Sequence, residues 1–180
     1  MTFDIEREVR DLAARRDIGK AIFAYMRGQD RLDRELQRTA FHDDADVDCG
    51  LLRGGPDAYT DFAQGFLANL VASQHLVGQV DLDVDVHKGT ATGEVYFLAW
   101  HRQLIDGRDE DLIMAGRYVD EYEYRDGRWA ISRRRELIDW ARTDPASDAI
   151  LQEMTAIHLS GRKGKDFSQT RDWASGTSGR

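Results

Sequence analysis

Five histidines are the side chains in this sequence best suited to proton transfer, because the unperturbed histidine pKa of about 6.5 lies close to working pH. His42 lies in the charged stretch FHDD, His87 at a turn and His158 near a polar tail, so these three are weak candidates for a general base. His75 and His101 lie in or next to segments with the alternating pattern of β-strands, and they are the two serious candidates.

A histidine base works best when a carboxylate accepts a hydrogen bond from its second ring nitrogen and stabilises the imidazolium. Asp30, which follows Gly28 in the stretch AYMRGQDRLD, is a carboxylate placed after a long helical segment. It is far from His75 in the sequence, so residue types alone do not bring the two together. Taken alone, Asp30 is best interpreted as a solvated carboxylate, and His75 as a hydrogen-bonded histidine at the start of a strand.

Two further positions carry groups that could bind an oxygen atom or stabilise a developing negative charge. Tyr25 ends the apolar stripe of the first helix, so it fits either the core or a hydroxyl that contacts substrate. Arg133, Arg134 and Arg135 are consecutive in a strand, where side chains alternate, so Arg134 points away from its neighbours. One inward arginine at Arg134 and three outward arginines that neutralise nearby carboxylates are both compatible with the pattern.

Helices near the N-terminus and a following sheet must position these side chains. Apolar residues at helical spacing predict helices over 5–27, 31–39 and from Pro56 onward, and Gly28 is expected to loosen or end the first of them. Alternating apolar and polar residues predict strands over 45–52, 79–87, 91–104, 112–124 and 129–140. Asp126-Gly127 predicts a tight hairpin between the last two strands, and a short helical pattern follows at 150–157.

This order of elements predicts an α+β fold. A curved, mostly antiparallel sheet wrapped around the long N-terminal helix would bury the apolar stripe of residues 9–25 and leave an open end for a ligand. Such a sheet suits a hydrophobic or aromatic substrate. The predicted wall of the pocket consists of Val47, Phe97, His101, Met114, Tyr118 and Ile138.

Composition and charge narrow the classes of partner. A net charge of −8 over 180 residues makes nucleic acid or an anionic membrane surface a poor match. The N-terminal stretch is charged and has no apolar signal-peptide core, so a cytoplasmic location is expected. Cys49 is the single cysteine, which excludes a disulfide framework and a multi-cysteine metal site. Phosphate-loop and zinc-ligand spacings are lacking too, and we expect neither cofactor nor metal.

Four segments, in their order and spacing, resemble the nuclear-transport-factor-2-like superfamily, also called SnoaL-like or the cystatin-like α+β cone. They are IFAYMRGQDRLD, FHDDADVD, SQHLVGQVDLDVD and GRYVDEYEYRDGRWAISRRR, the last followed by DW. Together they span roughly residues 10–142. The resemblance implies a cone domain over 1–142 and a C-terminal helical segment with a polar tail over 143–180.

Within this superfamily the chain looks most like the cofactor-free lyases, such as scytalone dehydratase, hexachlorocyclohexane dehydrochlorinase and bile-acid 7α-dehydratase. This resemblance implies that Asp30 orients His75, which removes a proton. It also implies that Tyr25 and Arg134 stabilise the developing charge or the leaving group, although the three consecutive arginines leave that register open by one position.

The resemblance therefore predicts a lyase of aromatic-compound catabolism. It would eliminate water or formaldehyde from a hydrophobic, hydroxylated aromatic or polycyclic molecule. A ketosteroid-type isomerase or polyketide cyclase is one alternative, and a non-catalytic ligand-binding or oligomerisation module is another. The outer face of such a sheet commonly packs against a copy of itself, so we also expect a homo-oligomer, either a dimer or a trimer.

Overall fold

A six-stranded sheet and a long N-terminal helix dominate the computed structural model, which describes residues 4–154 and 156–174. The helices are α1 (Ile5–Arg31), α2 (Arg34–Arg38), α3 (Pro56–Ala68), α4 (Ile150–Glu153) and α5 (Phe167–Thr170). The strands are β1 (Phe41–Asp48), β2 (Arg53–Gly54), β3 (Ala72–Asp85), β4 (Thr90–Ile105), β5 (Arg108–Arg125) and β6 (Arg128–Pro145). None of the helices in these residues is both long and apolar enough to cross a lipid bilayer.

Strands β3 to β6 form an antiparallel meander, and β1 adds to β6 in parallel, giving the order β2-β1-β6-β5-β4-β3. The sheet is long and curved, and its concave face packs against α1 and α3. Positive φ angles at Asp126 and Gly127 form the tight turn expected between β5 and β6. The predicted α+β fold, with a mostly antiparallel sheet around a long N-terminal helix, is confirmed.

The buried stripe of α1 starts later than predicted. Val9 and Leu12, which were predicted to belong to the stripe, are 58% and 64% exposed. The side chains that enter the core are Ala14, Ile18, Ala21, Ile22, Tyr25 and Met26.

The sequence indicated that Gly28 would loosen or end α1. Instead the helix continues to Arg31, and Leu32 then adopts a left-handed conformation. The glycine is required by a close approach: a Cβ at position 28 would lie 2.5 Å from the backbone nitrogen of Gln37 in α2. Gly28 thus lets α2 pack against α1 while the helix carries on to Asp30.

A β-bulge in β6 explains why the arginine triplet could not be oriented from its pattern. Glu121 of β5 pairs with Arg133, whereas the next residue, Tyr122, pairs with Ile131, so Ser132 is an extra residue in the strand. The bulge reverses the alternation. Ile131 and Arg134 are therefore both buried, although they are three positions apart.

After β6 the chain returns across the ends of two helices. We call residues 161–166 the C-terminal strap. The Arg162 guanidinium donates to the carbonyl oxygens of Leu67 (2.8 Å) and Leu70 (3.1 Å) at the end of α3. The Lys163 amide donates to the Arg31 carbonyl oxygen (2.8 Å) at the end of α1. The helix predicted over 150–157 is shorter than expected, and residues 175–180 of the polar tail lie outside the described residues.

Replacing Gly28 by alanine should destabilise the protein by about 1–3 kcal/mol, because the new methyl group overlaps the α2 backbone. Gly19→Ala is the matched control in the same helix. Its Cβ would meet only Phe23, at 3.8 Å, so it should be neutral or stabilising by up to about 1 kcal/mol. Chemical denaturation measures both, and equal effects would show that the close approach at Gly28 is unimportant.

Candidate active site

The structure brings Asp30 and His75 into direct contact. Asp30 Oδ1 accepts from His75 Nδ1 at 2.7 Å, and Asp30 Oδ2 accepts from the His75 backbone amide at 3.0 Å. Both side chains are shielded, with 14% of the Asp30 side chain and 5% of the His75 side chain exposed. One carboxylate therefore fixes both the imidazole ring and the strand that carries it.

His101 is the neighbour of His75 on the adjacent strand β4. The two Nε2 atoms are 3.4 Å apart, and the rings meet edge to face with centroids 5.2 Å apart. Burial lowers the pKa of His101 to about 4, and the charge of a protonated His75 acts in the same direction. His101 is therefore neutral at physiological pH, and the pair carries at most one positive charge.

His75 and His101 both line a cavity of about 520 Å³ between the concave face of the sheet and helix α3. Four other residues predicted as pocket wall also line it: Phe97, Met114, Tyr118 and Ile138. The rest of the lining consists of Gln29, Cys49, Gly50, Leu51, Tyr59, Phe62, Ala63, Phe66, Leu67, Ala99, Leu112 and Glu136. The wall is mainly apolar, with the histidine pair and one carboxylate among its polar groups.

Tyr25 is buried behind this wall instead of lining it. Gln29 Nε2 donates to the Tyr25 hydroxyl at 3.1 Å, and the Tyr25 and Tyr59 hydroxyls share a short hydrogen bond. Burial raises the pKa of Tyr25 to about 12, so the phenol stays neutral. Tyr59 reaches the cavity, and Tyr25 supports it from behind.

Arg134 is also buried behind the wall, with 1% of its side chain exposed. Its Nε and Nη2 donate to the two oxygens of Asp120, at 2.8 and 2.6 Å, and the Tyr122 hydroxyl donates to the same carboxylate at 2.8 Å. The guanidinium lies 4.3 Å from the ring centre of Tyr25 and 4.0 Å from that of Tyr118. The arginine thus holds two tyrosines next to the cavity.

Val47 lies in the core, fully buried on β1 and paired with Arg134 in the register of β1 and β6. Val47 was predicted to belong to the pocket wall, but its side chain is fully buried in the core and does not line the cavity. Four predicted site residues therefore do not line the cavity: Asp30, Tyr25, Val47 and Arg134. Of these, Asp30 still contacts a lining residue directly, through its hydrogen bonds to His75.

Several cavity residues were missed by the sequence analysis. Phe62 and Phe66 of α3 were not among the predicted site residues, but both are partly exposed and line the cavity. Glu136 was overlooked among the charges of RRRELIDW, although it alternates with Arg134, the arginine favoured as inward.

A sequence profile described as SnoaL-like domain matches residues 10–135, which is more than half of the chain. The chain belongs to the SnoaL-like domain family. In this SnoaL-like protein the matched region contains α2, α3 and β1 to β5, most of α1, and the first half of β6. It therefore includes Asp30, His75 and His101, while Glu136 is the residue that follows its end.

Solved structures share this SnoaL-like fold. A candidate scytalone dehydratase from Novosphingobium aromaticivorans has a TM-score of 0.65 and 22% identity, covering 88% of this chain and 98% of its own. A hexachlorocyclohexane dehydrochlorinase from Novosphingobium barchaimii has a TM-score of 0.67 and 21% identity, covering 84% and 97%. A Nostoc punctiforme protein of unknown function with a cystatin-like fold has a TM-score of 0.56 and 13% identity, covering 77% and 96%. Comparison with curated proteins gives no sequence match.

These identities establish a shared fold and no more, so the chemistry must come from the residues of the SnoaL-like cavity itself. The cavity offers an oriented histidine, a neutral second histidine, tyrosine side chains and one carboxylate in an apolar wall. No group of three or more histidine, cysteine, aspartate or glutamate side chains suited to a metal ion occurs in residues 4–154 and 156–174. That the protein needs no cofactor stays a prediction.

Removing the carboxylate of the buried Asp120–Arg134 pair should lower the free energy of unfolding by about 3–5 kcal/mol, because Asp120→Ala leaves a buried guanidinium uncompensated. Glu121→Ala is the matched control on the next residue, since Glu121 pairs with Arg133 in solvent. It should change stability by no more than about 1 kcal/mol. Urea denaturation of both variants measures the difference, and similar losses would contradict the structural role given to the buried pair.

Proposed function

We propose that this SnoaL-like protein is a cofactor-independent lyase. His75 removes a proton from a hydrophobic, hydroxylated aromatic or polycyclic molecule, and a small group, water or formaldehyde, leaves from the same molecule. The observation that carries this proposal is the 2.7 Å contact between Asp30 Oδ1 and His75 Nδ1, in a histidine that lines an apolar cavity.

The contact assigns a role to each nitrogen of His75. Asp30 accepts from Nδ1, so in the neutral ring Nε2 carries the lone pair that can take a proton. When Nε2 is protonated, the adjacent carboxylate stabilises the imidazolium. The contact from His101 to Nε2 is long, at 3.4 Å, and is weak enough for a substrate to displace.

The cavity supports the substrate class. Its volume of about 520 Å³ falls within the roughly 300–1,000 Å³ of small-molecule sites. Phe62, Phe66, Phe97 and Tyr118 supply aromatic walls for a flat apolar molecule. The histidine pair and Glu136 are polar groups in this otherwise mainly apolar wall, which suits an apolar molecule that also carries a hydroxyl group.

Tyr25 and Arg134 support catalysis from behind the wall in this proposal. Tyr25 orients the Tyr59 hydroxyl through their shared hydrogen bond. Arg134 places a positive charge beside the Tyr25 and Tyr118 rings, where it favours negative charge that develops on the substrate. Both are positioning residues, since neither lines the cavity.

Two structural relatives are named as a dehydratase and a dehydrochlorinase, and both names denote the elimination of a small group. Those names describe the relatives, and they support elimination here only together with the Asp30–His75 contact. For the expected homo-oligomer, Leu76, Leu98 and Trp140 form an exposed apolar row across the outer face of the sheet, where a second copy could pack.

The proposal predicts that His75→Gln and Asp30→Asn lower kcat, by about 10²–10⁴-fold for His75→Gln, because proton transfer loses its base or the orientation of that base. The substrates are a panel of β-aryl-β-hydroxy ketones and diarylpropane diols, and mass spectrometry detects loss of water or formaldehyde. His87→Gln is the control, since His87 lies exposed at a turn.

Three outcomes would contradict the proposal. Turnover that survives in His75→Gln would exclude the base assigned here. A product with the mass of the substrate would indicate an isomerase or a cyclase. Binding of the panel without any turnover, measured by calorimetry, would indicate a ligand-binding module.

A further inference from the structure

Glu136 is the one carboxylate among the residues that line the cavity. It lies on β6 opposite Tyr118 of β5, two positions after Arg134. His75 lies on β3, which is separated from β6 by two strands of the curved sheet. The base and this carboxylate therefore line the same cavity from two different strands.

Glu136 makes no hydrogen bond or ion pair with any other residue in 4–154 and 156–174, unlike the shielded aspartates nearby. Asp30 holds His75, and Asp120 holds Arg134. A carboxyl group in an apolar wall is destabilising unless it is paired or holds its proton. Within the described part of the chain the carboxyl of Glu136 has no such partner, so its partner is best sought among the molecules that enter the cavity.

The surroundings of Glu136 favour its protonated form. Burial in the cavity wall raises the pKa of Glu136, while the charges of Arg134 and protonated His75 act in the opposite direction. The titratable groups that face it are Arg134 on its own strand, Tyr118 on β5, His75 on β3, Tyr25 on α1 and Tyr59 on α3. Arg134 is already paired with Asp120, which limits its pull on Glu136.

We infer that Glu136 is the general acid of the reaction, and that the leaving group is therefore a hydroxyl in place of a halide. This inference rests on the proposed lyase function. His75 Nε2 takes the proton from carbon, the electrons of the C–H bond form the C=C bond, and the C–O bond breaks as the Glu136 carboxyl gives its proton to the departing oxygen. Water leaves, His75 is left protonated and Glu136 ionised, and one proton passed back through solvent restores both.

A general acid at Glu136 would favour substrates whose leaving group needs a proton. Hydroxide is a poor leaving group and needs a proton in the transition state, whereas chloride leaves as a stable anion without one. A cavity with His75 alone would suffice for a halide. A cavity that also presents an acid to the substrate is suited to an alcohol.

The test compares β-aryl-β-hydroxy ketones with β-aryl-β-chloro ketones, whose elimination gives the same conjugated ketone, detected by its absorbance. Glu136→Gln should lower kcat for the hydroxy ketone by at least about 100-fold and change that for the chloro ketone by less than about threefold. His75→Gln should lower both. Asp139→Asn, an exposed carboxylate on the same strand, should change neither.

The pH profile gives a second readout, which a merely structural role would not produce. In the wild-type protein kcat for the hydroxy ketone should fall on the alkaline side as Glu136 loses its proton. That fall should be absent for the chloro ketone. Equal loss on both substrates in Glu136→Gln, or no loss on either, would overturn the inference while leaving His75 as the base. Retained activity in His75→Gln, or no turnover of any ketone by the wild-type protein, would refute the lyase function and the inference with it.

Thermal unfolding shows whether Glu136→Gln is correctly folded. Burial raises the pKa of Glu136 in the folded protein above its value in the unfolded chain. The ionisation of Glu136 therefore destabilises the wild-type protein as pH rises from the unfolded pKa through the folded pKa. Glutamine does not titrate. The variant should therefore have a higher Tm than wild type at pH 8, with the difference closing towards pH ~4. A Tm below that of wild type at pH 8 would contradict an unpaired carboxyl at this position.

Discussion

The site depends on one carboxylate that joins the end of a helix to the start of a strand. Asp30 accepts from both the ring and the backbone amide of His75, so it fixes the imidazole and the local position of β3 together. It can do so because α1 continues past Gly28 to Arg31, and α2 packs closely against this part of α1 only because Gly28 has no side chain where the α2 backbone passes. The contact between Asp30 and His75 therefore depends on how α1 and α2 pack together at Gly28, although Gly28 takes no part in that contact.

A second buried charge shapes the other side of the cavity. Arg134 and Asp120 neutralise each other, and the tyrosines around them keep their rings in contact with the guanidinium. Desolvating such a pair is expensive, so its place in the fold is better explained by what it positions than by net stability. It holds the rings of Tyr25 and Tyr118 in contact with one guanidinium beside the cavity.

The order of the main helices and strands could be predicted from the sequence, because apolar residues recur in them at helical or strand spacing. Phe97, His101, Met114 and Tyr118 were predicted to share one wall, and all four line the cavity, since the pairing of β4 with β5 has no register shift. The failures have physical causes. Gly28 was interpreted by its helix propensity, whereas its tertiary contact with Gln37 decides its role.

The bulge at Ser132 is invisible to any rule based on alternation, and it concealed the orientation of β6. The contact of Asp30 with His75 came from family resemblance, because two residues so distant in sequence carry no local signal of each other. Glu136 was missed because charged residues in strands usually point into solvent. Arg133 and Arg135, which precede it in the same strand, do so.

The C-terminal strap has a consequence for how the protein is made. It hydrogen-bonds the last turns of α1 and α3, which carry Asp30 and the cavity phenylalanines, yet it lies beyond the region that matches the family profile. Helix α1 leaves the ribosome among the first elements, whereas Arg162 and Lys163 follow only after the whole sheet. The segment that hydrogen-bonds the ends of these two helices is therefore synthesised after every strand of the sheet, and it lies outside residues 10–135, the range that the family profile matches.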